Sequence, residues 1–281
     1  MLALARSFLE RKGLGEARLE AELLVGHALG IDRLRLFMRL DQPLLPAEVD
    51  RARDLLVRRG RREPTAYIIG SREFYVRDFL VGPGVLVPRP ETEQIVDRAR
   101  EIAKEAGWDA PRILDVGTGS GCLAVTLALE IEGAEVVAVD LSEDALDWAA
   151  KNAEALGATV DFRLGEGLEV GREAARSGGP FHLVVSNPPY VEPREREGLS
   201  PEVREHEPPL ALYAPAEDPD FWVRSLRESA HELLVKPGGR CLVELGHLQA
   251  ERLRDPQTGD GFEVVIHDDL AGIPRVAEFG I

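Results

Sequence analysis

The chain has 281 residues, of which 44% are hydrophobic and 30% are charged, and its formal net charge is −16 at pH 7. This composition is typical of a soluble globular protein that is long enough for one large domain and a smaller one. The negative charge argues against a broad nucleic-acid-binding face, because affinity for a phosphate backbone comes mainly from clustered Lys and Arg.

No apolar run reaches the roughly eighteen residues that a membrane helix needs. The first residues lack the charged region that precedes the apolar stretch of a signal peptide. Both cysteines, Cys122 and Cys241, lie in apolar runs, which predicts core positions rather than a disulfide or a zinc site. We therefore expect a cytoplasmic protein without a bound metal.

Residues 1 to about 62 predict only helices. Apolar residues recur there at helical spacing in four segments, the last of which opens at Pro46 and runs to Gly60. Nothing in this bundle has a catalytic pattern. The arginines between Arg51 and Arg62 fit a solvated helical face, and a contact patch for a protein or ribonucleoprotein partner is the alternative.

Residues 63–87 change to a β-like period. The runs Tyr67–Gly70, Glu73–Val76 and Phe79–Gly82 are separated by glycine and charged residues, which predicts a hairpin that links two domains. The segment Pro88–Glu93, with the sequence Pro-Arg-Pro-Glu-Thr-Glu, then opens a helix. Its prolines suit a helix start, and its acidic residues suit the positive end of the helix.

Strand and helix patterns alternate through the rest of the chain. Strands are predicted at Arg112–Val116, Glu135–Asp140, Thr159–Leu164, His182–Ser186 and Cys241–Leu245, with helices near 121–131, 142–156 and 219–235. Two final strands, Phe262–His267 and Val276–Phe279, have no long helical pattern between them and should pair antiparallel. The order predicts a Rossmann-like, doubly wound α/β sheet of seven strands with helices on both faces.

A glycine-rich turn follows the first of these strands. Its residues are Gly117, Thr118, Gly119, Ser120 and Gly121. Glycines let a ligand approach the backbone closely at the carboxyl edge, where open α/β sheets bind ligands.

The second strand ends at Asp140, nineteen residues past Gly121, where a carboxylate can accept hydrogen bonds from ribose hydroxyls. A glycine-rich turn that binds no ligand explains less well why an acidic residue ends the next strand. NAD and S-adenosylmethionine both bind in this way, so the turn by itself leaves both open.

The fourth strand ends in the segment Asn187–Tyr190, with the sequence Asn-Pro-Pro-Tyr. Its two successive prolines, Pro188 and Pro189, remove backbone donors and leave carbonyls to accept from a guest. The Asn187 side chain adds an acceptor oxygen, and Tyr190 offers a flat ring. These groups predict a clamp for a planar NH₂ group, which a methyltransferase needs and a hydride transferase does not.

In this interpretation Asn187, Pro188 and Tyr190 are the catalytic residues. Asn187 Oδ1 and the Pro188 carbonyl accept the two hydrogens of the conjugated nitrogen, while Tyr190 stacks on the planar group. Holding the nitrogen in line with the methyl group can supply roughly 7–11 kcal/mol of the barrier.

With these motifs in place, the chain resembles the HemK/PrmC family, the protein-(glutamine-N5) methyltransferases that modify the Gly-Gly-Gln glutamine of peptide chain release factors. The resemblance covers nearly the whole length, including the helical region and the hairpin. The other segments that carry it are Pro88–Glu93, Asp115–Gly121, Asp140, Asn187–Tyr190, Glu244–Gly246 with Gln249, and Asp269–Gly272 with Arg275 and Val276.

The resemblance implies a helical substrate-recognition domain at 1–62, a β-hairpin linker at 63–87 and a class I methyltransferase domain at 88–281. It implies S-adenosylmethionine as cofactor, S-adenosylhomocysteine as product, and a monomer with release factors as its protein partner. By the same resemblance the cofactor contacts are Gly117, Thr118, Gly119, Ser120, Gly121, Asp140, Gly167 and Asn187, and the substrate contacts are Asn187, Pro188, Pro189 and Tyr190.

Two segments depart from the family pattern. One is Tyr213–Asp218, which stands where the family has a glycine-containing segment after Glu207 and Pro208. The other lies after the third strand. Where the family has an Asp and a bulky residue near the adenine, this chain has Gly165–Leu168, in which Glu166 can replace the Asp. Two other functions stay open beside the main interpretation: a nucleic-acid adenine or guanine N-methyltransferase with the same clamp, and a non-catalytic S-adenosylmethionine-binding adaptor. A basic recognition region would favour the first, and a damaged Asn-Pro-Pro-Tyr segment would favour the second.

Overall fold

The structure is a computed structural model that describes residues 1–215, 218–246, 248–253 and 264–281. The chain divides into two compact units. The smaller unit comprises Met1–Ser71 and Ser200–His206, and the larger comprises Arg72–Leu199 and Glu207–Ile281. Within the described ranges, no helix is long and apolar enough to cross a membrane.

The helices of the described residues are α1 (Leu2–Arg11), α2 (Ala17–Leu29), α3 (Arg33–Met38), α4 (Pro46–Gly60), α5 (Thr65–Ile69), α6 (Glu93–Ala106), α7 (Cys122–Glu130), α8 (Glu143–Leu156), α9 (Gly167–Gly178), α10 (Pro201–His206), α11 (Pro209–Leu212), α12 (Phe221–Leu233) and α13 (Gln249–Leu253). The strands are β1 (Ser71–Phe74), β2 (Arg77–Leu80), β3 (Arg112–Val116), β4 (Glu135–Asp140), β5 (Asp161–Leu164), β6 (Leu183–Ser186), β7 (Arg240–Glu244), β8 (Val264–Asp268) and β9 (Pro274–Gly280).

The smaller unit is a helical bundle, and its four predicted helices are present as α1 to α4. Its core contains fully buried side chains such as Leu9 and Leu24. Arg59, also buried, forms ion pairs with Glu20 at 2.7 Å and with Glu202 at 2.6 Å. Because Glu202 lies in α10, these ion pairs attach the 200–206 segment to the bundle.

The prediction that Tyr67–Gly70 is β-like is wrong. These residues belong to α5 and its end, where Gly70 adopts a left-handed φ of 86°. Ile68 is buried in the helical core, so packing decides its conformation against its β-branched propensity. A four-residue apolar run does not distinguish strand from helix by its period.

The predicted hairpin forms, but both of its strands begin and end two residues earlier than predicted. β1 and β2 make a two-stranded sheet, and Tyr75 and Val76, which were predicted as strand, form the turn at φ values of 49° and 56°. Phe74 and Phe79 are both fully buried and meet edge to face, with ring centroids 5.9 Å apart. This aromatic pair fixes the hairpin register.

The larger unit contains the predicted seven-stranded sheet, in the order β5-β4-β3-β6-β7-β9-β8. The first five strands in this order are parallel, and β9 pairs antiparallel with both β7 and β8. β3 and β4 agree with the prediction residue for residue, and the other strand boundaries move by a few residues. Residues 262 and 263 of the predicted strand Phe262–His267 lie outside the described residues.

The strand order reverses direction between β3 and β6, which creates a crevice at their carboxyl ends. Alternating side chains of β3 pack into two hydrophobic cores, one on each face of the sheet. Ile113 packs with α6 and α7 on one face, and Leu114 packs with α9 and α12 on the other. α9 was not predicted, because its glycines hide the apolar period. One of them, Gly171, allows close packing, since a Cβ there would lie 2.8 Å from Leu114 Cδ2.

Asn152 in α8 connects the hairpin to the glycine-rich turn. It is fully buried, and its Nδ2 donates to the Leu80 carbonyl at 3.0 Å and to the Ser120 carbonyl at 2.9 Å. The Leu80 N–H in turn donates to Asn152 Oδ1 at 2.7 Å. The amide therefore holds the turn and β2 in one arrangement.

Replacing Asn152 tests this connection. Asn152→Ala leaves the buried Ser120 carbonyl and the partly buried Leu80 backbone groups without this partner. A buried group that loses its partner costs about 1–3 kcal/mol, so we expect the free energy of unfolding to fall by about that amount. Urea denaturation measures the change. Glu154→Ala, on the exposed side of the same helix, is the control, and an equal loss in both variants would contradict the role of Asn152.

Candidate active site

A cavity of about 570 Å³ opens in the larger unit at the carboxyl ends of β3, β4 and β6. Its volume lies within the range of small-molecule sites. The predicted site residues that line it are Gly117, Thr118, Gly119, Ser120, Asp140, Gly167, Asn187, Pro188 and Pro189. The cavity thus joins the glycine-rich turn to the Asn-Pro-Pro segment.

The glycine-rich turn faces the cavity with its backbone and is tied to Asp140. Gly119 N donates to Asp140 Oδ2 at 2.8 Å, and Ser142 N donates to Oδ1 at 3.0 Å. Gly117 has a φ of 76°, and a Cβ there would meet no atom within 4 Å, so open space lies in front of the turn. The remaining lone pairs of the Asp140 carboxylate stay available to a ligand in the cavity.

One buried and one partly buried carboxyl group support this wall, and desolvation raises the pKa of both. Asp115 is fully buried at the end of β3; desolvation raises its pKa to about 7, although the Thr118 hydroxyl donates to Oδ2 at 2.7 Å. Desolvation also raises the pKa of Asp140, while backbone N–H groups, including those of Gly119 and Ser142, oppose the rise.

The Asn-Pro-Pro segment presents acceptors to the same cavity. Ser186 fixes the end of β6, because its hydroxyl donates to the Val116 carbonyl at 2.7 Å. Asn187 Nδ2 donates to Thr92 Oγ1 at 2.9 Å. Among the residues that the structure describes, no donor reaches Asn187 Oδ1 or the Pro188 carbonyl, so both oxygens can accept from a ligand.

Thr92, which also lines the cavity, and Glu244 form a hydrogen-bonded chain with Asn187, and sequence reasoning assigned a role to neither. The Thr92 hydroxyl donates to Glu244 Oε2 at 2.5 Å, and the Tyr190 hydroxyl lies 3.4 Å from Glu244 Oε1. Glu244 is 3% exposed, and burial raises its pKa to about 7. A carboxylate that ends an otherwise apolar strand beside the Asn187 strand is the signal that could have identified it.

Two predicted site residues, Gly121 and Tyr190, do not line this cavity. Gly121 starts α7 with a φ of 78°, and a Cβ there would lie 3.0 Å from that of Ala149, so it allows helix packing. Tyr190 packs against Gly246, whose hypothetical Cβ would lie 2.7 Å from the tyrosine ring, and it lines a separate cavity of about 320 Å³. The ligand contacts assigned to these two residues stay predictions.

Gly167 and Glu166 occupy the start of α9, beside the cavity. A Cβ at Gly167 would lie 2.6 Å from Val116 Cγ1, so glycine permits the close approach of α9 to β3. Glu166 caps the helix, because its Oε2 accepts from the Glu169 N–H at 2.8 Å. The second carboxylate oxygen of Glu166 remains for a ligand.

The rest of the lining comes from residues to which the sequence analysis assigned no ligand contact. It includes Val85, Leu86, Arg89, Leu210, Tyr213, Phe221 and Trp222. Arg89 is held by Glu207, whose two carboxylate oxygens accept at 2.7 and 2.8 Å. The Glu207 carboxylate also accepts from the Val87 N–H at 3.2 Å, so it fixes the entry to the Thr92 segment.

Comparison with known proteins agrees with this arrangement. Residues 113–207 match the family described as "Methyltransferase domain", and residues 1–70 match the family described as "PrmC N-terminal domain". The larger unit therefore belongs to the methyltransferase class.

Relatives of nearly the same length identify the family. A release factor glutamine methyltransferase from Geobacter sulfurreducens is 43% identical over 96% of this chain and 92% of its own length. The proteins of that name from Chlorobaculum tepidum and Koribacter versatilis are 44% and 41% identical, over 84% and 97% of this chain and 81% and 94% of their own lengths. The chain belongs to the release factor glutamine methyltransferase family.

The buried Asp115 predicts a specific pH dependence of stability. Its folded pKa of about 7 lies above the value of about 4 in an unfolded chain, so the folded protein binds the extra proton between these values and loses stability as pH rises through that window. Asp115→Asn removes this contribution. We expect the wild type to lose up to about 1.4 kcal/mol per pH unit relative to the variant, up to about pH 7.

Urea denaturation of both proteins at about pH 5, 6, 7 and 8 measures the difference. The control is Asp147→Asn, at an exposed aspartate of α8. A stability difference between wild type and Asp115→Asn that stays constant with pH would show that Asp115 is not the group involved.

Proposed function

We propose that this protein transfers a methyl group from S-adenosylmethionine to the N5 side-chain nitrogen of the glutamine in the Gly-Gly-Gln motif of peptide chain release factors. The main support for this proposal is that two hydrogen-bond acceptors, Asn187 Oδ1 and the Pro188 carbonyl, lie in one cavity with the glycine-rich turn. The names of the relatives support the choice of substrate. S-adenosylhomocysteine is the expected product.

The residues of the cavity fit this cofactor. Open space in front of Gly117 admits a ligand against the backbone, and the Asp140 carboxylate can accept from ribose hydroxyls. Gly167 and Glu166 border the same space and suit an adenine with an exocyclic amine. When bound, S-adenosylmethionine supplies an electrophilic methyl group.

The clamp makes a poor nucleophile usable. The lone pair of an amide nitrogen is delocalised into the carbonyl, so it attacks weakly. With Asn187 Oδ1 and the Pro188 carbonyl accepting its two hydrogens, the nitrogen gains electron density and stays in line for attack. Two fixed acceptors also select an NH₂ group, because a secondary or tertiary amide offers fewer hydrogens.

Proton transfer needs no general base before attack. The amide proton becomes acidic only after nitrogen has gained the methyl group, and the nearby acceptors can then pass it to solvent. The buried carboxyl groups of Asp115 and Glu244 therefore have no need to touch the substrate. Stabilisation of developing positive charge by fixed dipoles is the main contribution of the clamp.

Asn187→Ala tests the clamp directly. We expect turnover on release factor to fall by at least about 100-fold, as after the loss of one stabilising polar group at a transition state, with little change in cofactor affinity. Labelled methyl transfer and calorimetry measure these two quantities. Arg194→Ala, at a side chain 77% exposed near the same segment, is the control, and near-normal turnover of Asn187→Ala would exclude the clamp mechanism.

We also propose that the helical residues 1–62 form the recognition domain, that the protein is a cytoplasmic monomer, and that it binds no nucleic acid. A planar amide alone gives little specificity, and the net charge of −16 disfavours a phosphate partner. Two arginines of this region are poor candidates for contacts: Arg58 pairs with Glu63, and Arg59 is buried with Glu20. Exposed apolar side chains of α3 and the residues after it are better candidates, among them Leu34, Met38, Leu40 and Leu45.

A double substitution in α3 tests this surface. Leu34 and Met38 are 71% and 78% exposed, so Leu34→Gln with Met38→Gln should leave the bundle folded. We expect the KM for intact release factor to rise about tenfold, since an apolar contact of about 1.4 kcal/mol is lost. Activity on a short Gly-Gly-Gln peptide should not change.

The control is Leu4→Gln, at an apolar side chain of α1 that is 74% exposed. These point variants are preferable to deletion of the amino-terminal residues, because Glu202 belongs to the same compact unit and would lose its partner Arg59. Equal effects on intact release factor and on the peptide would contradict a recognition role.

A further inference from the structure

An asparagine side chain has two ends of nearly the same shape. One end is an acceptor oxygen and the other is a donor NH₂ group. The clamp needs the oxygen of Asn187 to face the cavity, because an NH₂ group there would meet the NH₂ group of the substrate. Some neighbour must therefore select the orientation of this amide.

Thr92 and Glu244 select the orientation of the Asn187 amide. Thr92 is 1% exposed and Glu244 is 3% exposed, so neither exchanges its partner for solvent. An ionised carboxylate only accepts, so the single hydroxyl proton of Thr92 goes to Glu244 Oε2 at 2.5 Å. The Thr92 oxygen can then only accept from Asn187, and it does so from Nδ2 at 2.9 Å.

We propose that Thr92 and Glu244 are positioning residues for the Asn187 amide, and that only the ionised form of Glu244 keeps the Asn187 oxygen towards the cavity. Neither residue touches the substrate in this proposal. The kinetic consequence rests on the proposed function, whereas the orientation of the amide does not.

Protonation of Glu244 reverses the direction of the hydrogen bonds. A neutral Glu244 can donate to Thr92, whose own proton then points to Asn187. The amide turns over to accept it and presents its NH₂ group to the cavity. Turnover should therefore fall as pH falls through the titration of Glu244.

The surroundings of Glu244 place this titration near neutrality. Its pKa is raised to about 7, with burial as the largest cause; the charge of Glu91 also raises the pKa, and Thr92, Arg275 and the Tyr190 hydroxyl oppose the rise. Cys122 also lies within range of the Glu244 charge. Asp115 titrates in the same range, but it supports the glycine-rich turn, so its effect should follow cofactor affinity.

Three variants separate orientation from mere packing. Thr92→Val keeps the shape of the side chain and loses the hydroxyl, and we expect kcat at saturating cofactor to fall by about 10- to 100-fold. Thr92→Ser keeps the hydroxyl and should stay within about threefold of wild type. Glu244→Gln can donate to Thr92, so it should behave as the protonated form at every pH.

The pH profile of kcat is the kinetic readout. The wild type should lose activity below about pH 7, and Thr92→Val and Glu244→Gln should lack this acid limb while their cofactor affinity stays near normal. An equal loss in Thr92→Ser and Thr92→Val would overturn the proposal. A Thr92→Val variant with wild-type kcat and acid limb would overturn it as well.

A second measurement, of the side-chain amide signals by NMR, does not depend on methyl transfer. The chain contains two asparagines, Asn152 and Asn187, so a protein labelled with ¹⁵N-amide asparagine gives two side-chain NH₂ signal pairs. The spectrum of Asn187→Ala assigns them. Asn152 is an internal control, because within the described part of the chain its amide bonds only to backbone groups of Leu80 and Ser120.

We expect the Asn187 pair to shift as pH passes through about 7 in wild type and in Thr92→Ser, while the Asn152 pair stays in place. In Thr92→Val the shift should disappear. A shift that persists in Thr92→Val would come from the Glu244 charge through space and would overturn the proposal, as would no shift in wild type. If the wild type methylates no release factor, the proposed function fails and the spectra alone decide the orientation.

Discussion

The arrangement of the cavity wall depends on acidic side chains that are held in apolar surroundings where the parallel strands end. Asp140 and Glu244 are the last residues of two strands of the sheet and Asp115 is the last but one of a third, and burial raises the pKa of each. An isolated buried charge is costly, so each group is held by short hydrogen bonds from hydroxyl or backbone groups. Those bonds in turn fix the glycine-rich turn and the Asn187 amide.

The sequence predicted the parts of the fold that repeat a simple period. β3 and β4 matched residue for residue because each is a short, mainly apolar run with an acidic residue at its last position or next to it. The prediction failed where local pattern and packing disagree: Ile68 lies in a helix against the bundle core, and α9 is rich in glycine. In both cases the deciding contacts come from residues distant in sequence.

In the site, too, local motifs were predicted from the sequence and contacts between distant residues were not. The glycine-rich turn, Asp140 and the Asn-Pro-Pro segment were predicted from contiguous motifs, and the structure places them around one cavity. Thr92 and Glu244 could not be paired with Asn187 from sequence, because they lie far from it along the chain. The predicted stacking of Tyr190 on the substrate stays a prediction, and its contacts with Glu244 and Gly246 come from residues distant in sequence that no local motif indicates.

The register between β6 and β7 has a consequence for protein engineering. Ser186 pairs with Val243, so the next residues along these parallel strands are Asn187 and Glu244. A tetrapeptide Asn-Pro-Pro-Tyr transplanted to another sheet would carry its acceptors without the neighbouring strand that orients them. A working transplant needs a carboxylate on the adjacent strand in this register and a hydroxyl from a helix start, so the smallest portable unit is three segments of chain.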